Sequence, residues 1–233
     1  MSAIHKAFVL SSGGIDSSTC LALAVRDFHR EYVKAYSVDY GQRHVKEIEH
    51  ARLVAGYFRV PHEVLKLGPQ PLSNLTNPEA EIPRVAYADL PTGMSPSYHF
   101  FRNAQLLSLA AAFATAQLAK EDEDGTIYIA VHAEDAQNWA YADCTPEFIG
   151  AMCGAIFVGT YQKIRLKAPL LEMRKDEIIT LGTSLEVPWH LTWSCYVGDE
   201  FHCGTCPTCR ARKAGFIGAG IKDPTEYAPK ETA

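Results

Sequence analysis

The stretch KAFVLSSGGIDSSTCLALAVRDF, residues 6–28, constrains the fold more than any other. Its apolar opening reads as a buried strand over residues 6–11. Gly13 and Gly14 interrupt it, and Leu21, Ala24, Val25 and Phe28 then recur at helical spacing. A strand running through a glycine turn into a helix is the opening unit of a parallel sheet, because parallel strands need a crossover between them.

The rest of the chain repeats the pattern. Strands are expected over residues 33–39, 62–67, 126–131 and 164–167. A second helix is marked by Val45, Ile48, Ala51, Ala55 and Phe58, and others are expected over 103–120 and 174–182. Thr145-Pro146-Glu147 supplies a cap, a first-turn proline and an acid, opening a helix to about residue 159. The fold class is therefore α/β, an open, mostly parallel sheet with helices on both faces. Residues 68–101 carry prolines and polar residues without periodicity, the mark of a lid or substrate loop. From Asp223 onward the polar tail is expected to be loose.

A chain of 233 residues, 47% hydrophobic, fits one such domain with a small appendage. A net charge of −5 argues against nucleic acid as a partner. No apolar run is long enough to span a membrane and no leader pattern is read, so a cytoplasmic location is expected. Seven cysteines, four of them crowded together, point to a metal site in a reducing compartment.

Ligands of open α/β sheets bind beyond the carboxyl ends of the strands. Ser11, Ser12, Gly13, Gly14, Ile15, Asp16, Ser17 and Ser18 lie at such an end. Glycines, exposed N–H groups and the positive end of a helix make a phosphate cradle there. The lysine of the G-x-x-x-x-G-K-[ST] loop is missing. Asp16 beside phosphates is repulsive unless Mg²⁺ lies between, or it caps the helix.

Cys195, Cys203, Cys206 and Cys209 form C-x7-C-x2-C-x2-C. Four thiolates with no open position suit one structural, tetrahedral Zn²⁺, with a [4Fe–4S] cluster or redox thiols as alternatives. Cys20 and Cys153 fall in predicted helices and read as small core residues. Cys144 lies in a loop beside Asp143, where it could contact a substrate.

The SGGIDS loop resembles the signature of the PP-loop ATP pyrophosphatase superfamily. That likeness implies that the loop holds the leaving pyrophosphate of ATP while AMP is transferred, which accounts for the missing lysine. Adenine is then expected near Val38 and Tyr40. The whole chain resembles the QueC family, the 7-cyano-7-deazaguanine (preQ0) synthases of queuosine biosynthesis. The likeness rests on SGGIDSSTC, VDYGQRH, FRN, YADC followed by TPEF, and LTWSCY leading into the cysteines; Ala142 stands where the family usually has proline.

The resemblance implies a PP-loop domain over residues 1–185 and a zinc-binding subdomain over 186–233. It implies a ligase that joins 7-carboxy-7-deazaguanine to ammonia with ATP and Mg²⁺, acting as a homodimer. Asp16, Ser17, Arg102 and Lys175 would then carry the chemistry. Arg102, Asn103, Asp143 and Cys144 would meet the substrate, Asp143 by accepting from the guanine-like edge, and Gln42, Arg43 and His44 would lie near the adenine. Three other readings remain at this point. One is a relative that stops at the amide or uses another amine, one a tRNA thiolation enzyme, and one a non-catalytic zinc-stabilised binding module.

Overall fold

The computed structural model describes residues 4–42, 46–68, 70, 73, 75–77, 79–82, 84–86, 89, 93–95, 97–118, 123–198 and 200–229. The opening unit consists of β1 (Ile4–Leu10), α1 (Ile15–Phe28) and β2 (Val33–Asp39). Next come α2 (Lys46–Tyr57), β3 (His62–Lys66), α3 (Arg102–Gln117) and β4 (Glu123–Tyr128). The single-turn α4 (Ala133–Ala136), then α5 (Pro146–Gly159), β5 (Ile164–Lys167), α6 (Lys175–Ser184) and α7 (Pro207–Gly218) complete the order. Val45, Arg43 and His44 lie outside the described residues.

The five strands pair in parallel in the order β3-β2-β1-β4-β5. Alternation along β1 explains the two covered faces. Ala7 and Val9 point into one apolar cluster with residues of α1, α2 and α6 and with Phe216 of α7. Phe8 and Leu10 point into a second with residues of α3 and α5. Each fully buried Leu, Ile or Phe in these layers contributes about 1.5–3 kcal/mol.

β4 starts three residues earlier than its apolar run suggests. Its charged first residues are paired across the ladder: Glu123 lies 3.1 Å from Lys6 Nζ, and Asp124 meets His5. Ile129, past the end of β4, still donates its N–H to the Lys167 carbonyl at 3.0 Å. Thr145 does cap α5, accepting from the Phe148 N–H at 3.3 Å.

The tail is not loose as far as residue 229. Asp223 accepts from Arg212 Nε at 3.1 Å and from the Tyr227 hydroxyl at 2.6 Å, and Tyr227 bridges to His202. Arg212 is fully buried and also donates to the Thr192 hydroxyl and the Trp189 carbonyl. Polar composition suggested looseness because a buried arginine as the anchor leaves no mark in a tail's own sequence.

Candidate active site

Strand order reverses around β1: the chain steps outward through β2 and β3, then returns to place β4 on the other side of β1. The crevice at such a switch point is the expected ligand site. A cavity of about 240 Å³ lies there.

The loop after β1 is shaped by close contact. Gly13 has φ +75°, and a Cβ on it would lie 2.5 Å from the Ala51 nitrogen and 2.8 Å from the Glu47 carbonyl oxygen of α2. Only glycine permits both the angle and the approach. Gly14 is the N-cap of α1 and no side chain caps the helix, so its first N–H groups remain available to a ligand. Ser12 and Ser17 brace the turn: Ser17 Oγ accepts from the Ser12 N–H at 3.1 Å and donates to the Gly14 carbonyl at 3.3 Å. The buried hydroxyls of Ser11 and Ser18 have no hydrogen-bond partner among the described residues. Uncapped helix amides and orphaned hydroxyls are a donor set that fits a phosphate chain.

Ser11, Ser12, Gly14, Ile15, Asp16 and Ser17 line the cavity, while Gly13 lies against α2 and Ser18 is fully buried. Val38, near the end of β2, and Tyr40, just beyond it, line the cavity as well. Gln42 folds back to accept from the Tyr40 N–H at 2.9 Å and donate to the Val38 carbonyl at 3.1 Å. In the long loop, Leu75 joins the lining, and buried His99 stacks near Tyr40 and bonds the Ser73 hydroxyl at 2.8 Å.

Lys175, the first residue of α6, is buried at 8% exposure. Its Nζ donates to both Asp16 carboxylate oxygens at 2.7 Å and to His132 Nε2 at 2.9 Å. Burial pushes the Asp16 carboxyl up, but Lys175 and His132 outweigh it and hold the group below the usual range. Asp135 lies 3.2 Å from the same His132 nitrogen.

Arg102 opens α3 and lines the cavity with Asn103. Its buried Nε has no partner among the described residues. Burial works against its charge, but Tyr40, Tyr196 and Asp143 around it hold the guanidinium protonated. Asp143 and Cys144 sit one layer behind. Asp143 accepts from the Asn103 N–H at 2.9 Å with its carboxylate and from the Asn103 side chain at 3.0 Å with its carbonyl. Asn103 also faces the Cys144 sulfur at 3.4 Å. Neither residue lines the cavity, and Asp143 caps α3.

Among the lining residues not singled out from sequence are Glu47, His132, Asp135, Trp193 and Tyr196. Acids are common in a first helical turn, so Glu47 looked no different from exposed Glu49. Trp193 ties the C-terminal segment to the loop, its N–H donating to the Gly13 carbonyl at 2.8 Å.

The cysteine sulfurs of residues 195, 203, 206 and 209 all lie within 4.8 Å of one another, a set able to hold a metal ion. Backbone N–H groups point at them: Val197, Gly198 and Cys203 donate to Cys195, and Cys206 donates to Cys203. Oriented amides of this kind favour thiolate charge.

Comparison with solved structures finds the U34-tRNA thiolase NcsA from Methanococcus maripaludis, with its [4Fe-4S] cluster, at a TM-score of 0.50 and 15% identity, covering all of this chain and 77% of that one. That likeness is one of fold. Among curated proteins, the 7-cyano-7-deazaguanine synthase of Oceanobacillus iheyensis is 40% identical over 233 residues, covering 95% of this chain and 98% of its own. The protein of the same name from Thermoplasma volcanium is 37% identical over 229 residues, covering 96% and 91%. Residues 6–220 match the family described as queuosine biosynthesis protein QueC, and the chain belongs to that family.

Proposed function

We propose that the chain is an ATP-dependent 7-cyano-7-deazaguanine synthase, converting 7-carboxy-7-deazaguanine and ammonia to the nitrile. The observation that carries this reading is the uncapped start of α1 with the orphaned Ser11 hydroxyl beside it in the cavity, in a chain whose relatives bear that name. A carboxylate resists ammonia because oxide is a poor leaving group. Attack of its oxygen on the α-phosphate of ATP expels pyrophosphate and leaves AMP to be displaced, giving the amide. A second adenylation, on the amide oxygen, permits loss of AMP to form the nitrile.

In this scheme Ser11 to Ser18 hold the pyrophosphate, and Val38 and Tyr40 border the adenine. Asp16 binds Mg²⁺, the ion that neutralises phosphate charge, and Lys175 turns from Asp16 to the phosphates. Arg102 and Asn103 meet the deazaguanine acid. Asp143 and Cys144 act through Asn103, with the Asp143 carboxyl available if the loop opens. Fixed charges in a water-poor cavity supply most of the stabilisation.

The four cysteines hold structural Zn²⁺. A tetrahedral ion with bonds of about 2.3 Å places its sulfurs roughly 4 Å apart, close to the spacing here, whereas an iron–sulfur cube spreads them further. Residues 186–233 form the subdomain around that ion, packed on residues 1–185. A cytoplasmic setting suits seven unbridged cysteines, and no helix among the described residues is long and apolar enough to cross a membrane. The enzyme is a homodimer in this reading, which the apolar end of the outer face of α5, with Val158 75% exposed, supports.

Mass spectrometry of base and nucleotide products tests the reading. Nitrile appearing with two AMP per molecule is the expected result. Amide accumulating alone would mean an enzyme that stops halfway, and ATP untouched by this acid would remove the assignment.

A further inference from the structure

Glu47 is a carboxylic acid of the cavity for which the scheme above has no use. It lies in the first turn of α2, fixed beside the phosphate loop by the contact between its carbonyl and Gly13. Arg102 from α3, Tyr40 from just beyond β2 and Tyr196, which directly follows Cys195, are coupled to it electrostatically. All four line the same space.

Asp16 and Glu47, two of the acids lining the cavity, thus stand in opposite surroundings. Asp16 sits against an ammonium and stays ionised. Burial pushes the Glu47 carboxyl up to about 7, and Arg102 only partly opposes this. A carboxylate held in a structural ion pair would move the other way. Two acids whose environments separate their proton affinities are the arrangement in which one holds charge and the other moves a proton. An acceptor with an affinity near the working pH is efficient in both taking and releasing it.

We propose, resting on the synthase reading, that Glu47 accepts the proton from the substrate nitrogen as the nitrile forms. Before that step the adenylated amide has passed one N–H proton to the departing pyrophosphate and become R–C(=NH)–O–AMP. Its N–H proton passes to the Glu47 carboxylate, and the N–H bonding pair becomes the third C–N bond. The C–O bond breaks with its electrons leaving on AMP, so the products are the nitrile, AMP and neutral Glu47. The earlier displacement by ammonia can pass its protons to the departing AMP phosphate and needs no such group. Arg102 opposite Glu47 steadies the charge on the leaving phosphate.

The experiment compares wild type with Glu47→Gln and Glu47→Asp, following ATP–pyrophosphate exchange, amide and nitrile across pH 5.5–9. Glu47→Gln should keep exchange and amide formation within about threefold, lose nitrile at least a hundredfold, and lose the acid limb of the wild-type profile near pH 7. Glu47→Asp, an acid set back by one carbon, should retain that limb at a rate about tenfold down. Nitrile formation by Glu47→Gln within threefold of wild type overturns the proposal. So does an equal fall in amide and nitrile, which would place Glu47 in binding or in orienting Arg102. Should Glu47→Gln not fold, loss of the acid limb in Glu47→Asp overturns it instead. Wild type that leaves ATP intact with this acid removes the synthase reading itself, a result distinct from any of these.

Discussion

Lys175 Nζ donates at 2.7 Å to each carboxylate oxygen of Asp16, joining the first turn of α6 to that of α1 across 159 residues of sequence. The pair is shared with His132 and largely shielded from water. Lys175→Met strands the Asp16 charge and should cost about 3 kcal/mol in urea unfolding, with activity down at least a hundredfold. Adding Asp16→Asn should restore most of the stability and none of the activity.

The same pair sets an acid limit. The Asp16 carboxyl is held below its ordinary 3.8 in the folded chain. Its contribution is therefore complete above that value and is lost as pH falls through the lower, folded one. Wild type should lose stability more steeply than the Lys175→Met/Asp16→Asn variant below pH 4, measured by denaturant midpoint.

Glu47 runs in the opposite sense. Its folded carboxyl, at about 7, lies above the ordinary 4.5, so the folded chain holds a proton that the unfolded chain releases. That stability is complete below pH 4.5 and is lost as pH rises through 7. Glu47→Gln should be more stable than wild type at pH 8, by on the order of 1–3 kcal/mol.

Gly13→Ala forces a methyl group onto backbone atoms of α2 at a left-handed angle. The angle costs about 1–2 kcal/mol and the overlap about 1–3 kcal/mol more. Thermal unfolding should show the loss, and calorimetric ATP binding should disappear even where the fold survives.

Removing one thiolate, as in Cys209→Ser, should abolish stoichiometric metal by elemental analysis. A destabilisation of about 3 kcal/mol corresponds to roughly 6–12 °C in Tm for a chain of this size. Nucleotide affinity should fall with it, because Trp193, two residues before Cys195, holds the Gly13 carbonyl.

Asp143→Ala removes the cap of α3 and should cost about 1 kcal/mol while raising the KM for the acid. Asp143→Asn still offers an oxygen to the Asn103 N–H and should keep stability. A rise in KM in Asp143→Asn would then mark a direct role for the charge at the substrate.

Strands, helices and the phosphate loop were legible because they rest on local patterns: the apolar run of β1, glycines at the turn, Thr145 and Pro146 at a helix start. The four cysteines were legible from spacing alone. Non-local partners were not. The strand start at Glu123 depends on Lys6 and His5, the tail on buried Arg212, and the burial of Lys175 on Asp16 and His132. Helix α7 went unread because its start, Pro207, falls inside the Cys206–Cys209 spacing that dominated the stretch.

The bond between Trp193 and Gly13 also bears on how the molecule is made. The phosphate loop leaves the ribosome well before the residue that fastens it, because Gly13 and Trp193 stand far apart in the sequence. At about 5–20 residues per second the interval is on the order of ten seconds. Until β4 has followed, β1 also lacks one of its two neighbours in the sheet. A nascent chain therefore carries an exposed strand edge until β4 is made and an unfastened nucleotide loop for longer, and becomes competent for its ligand only once the segment leading into the cysteines has emerged.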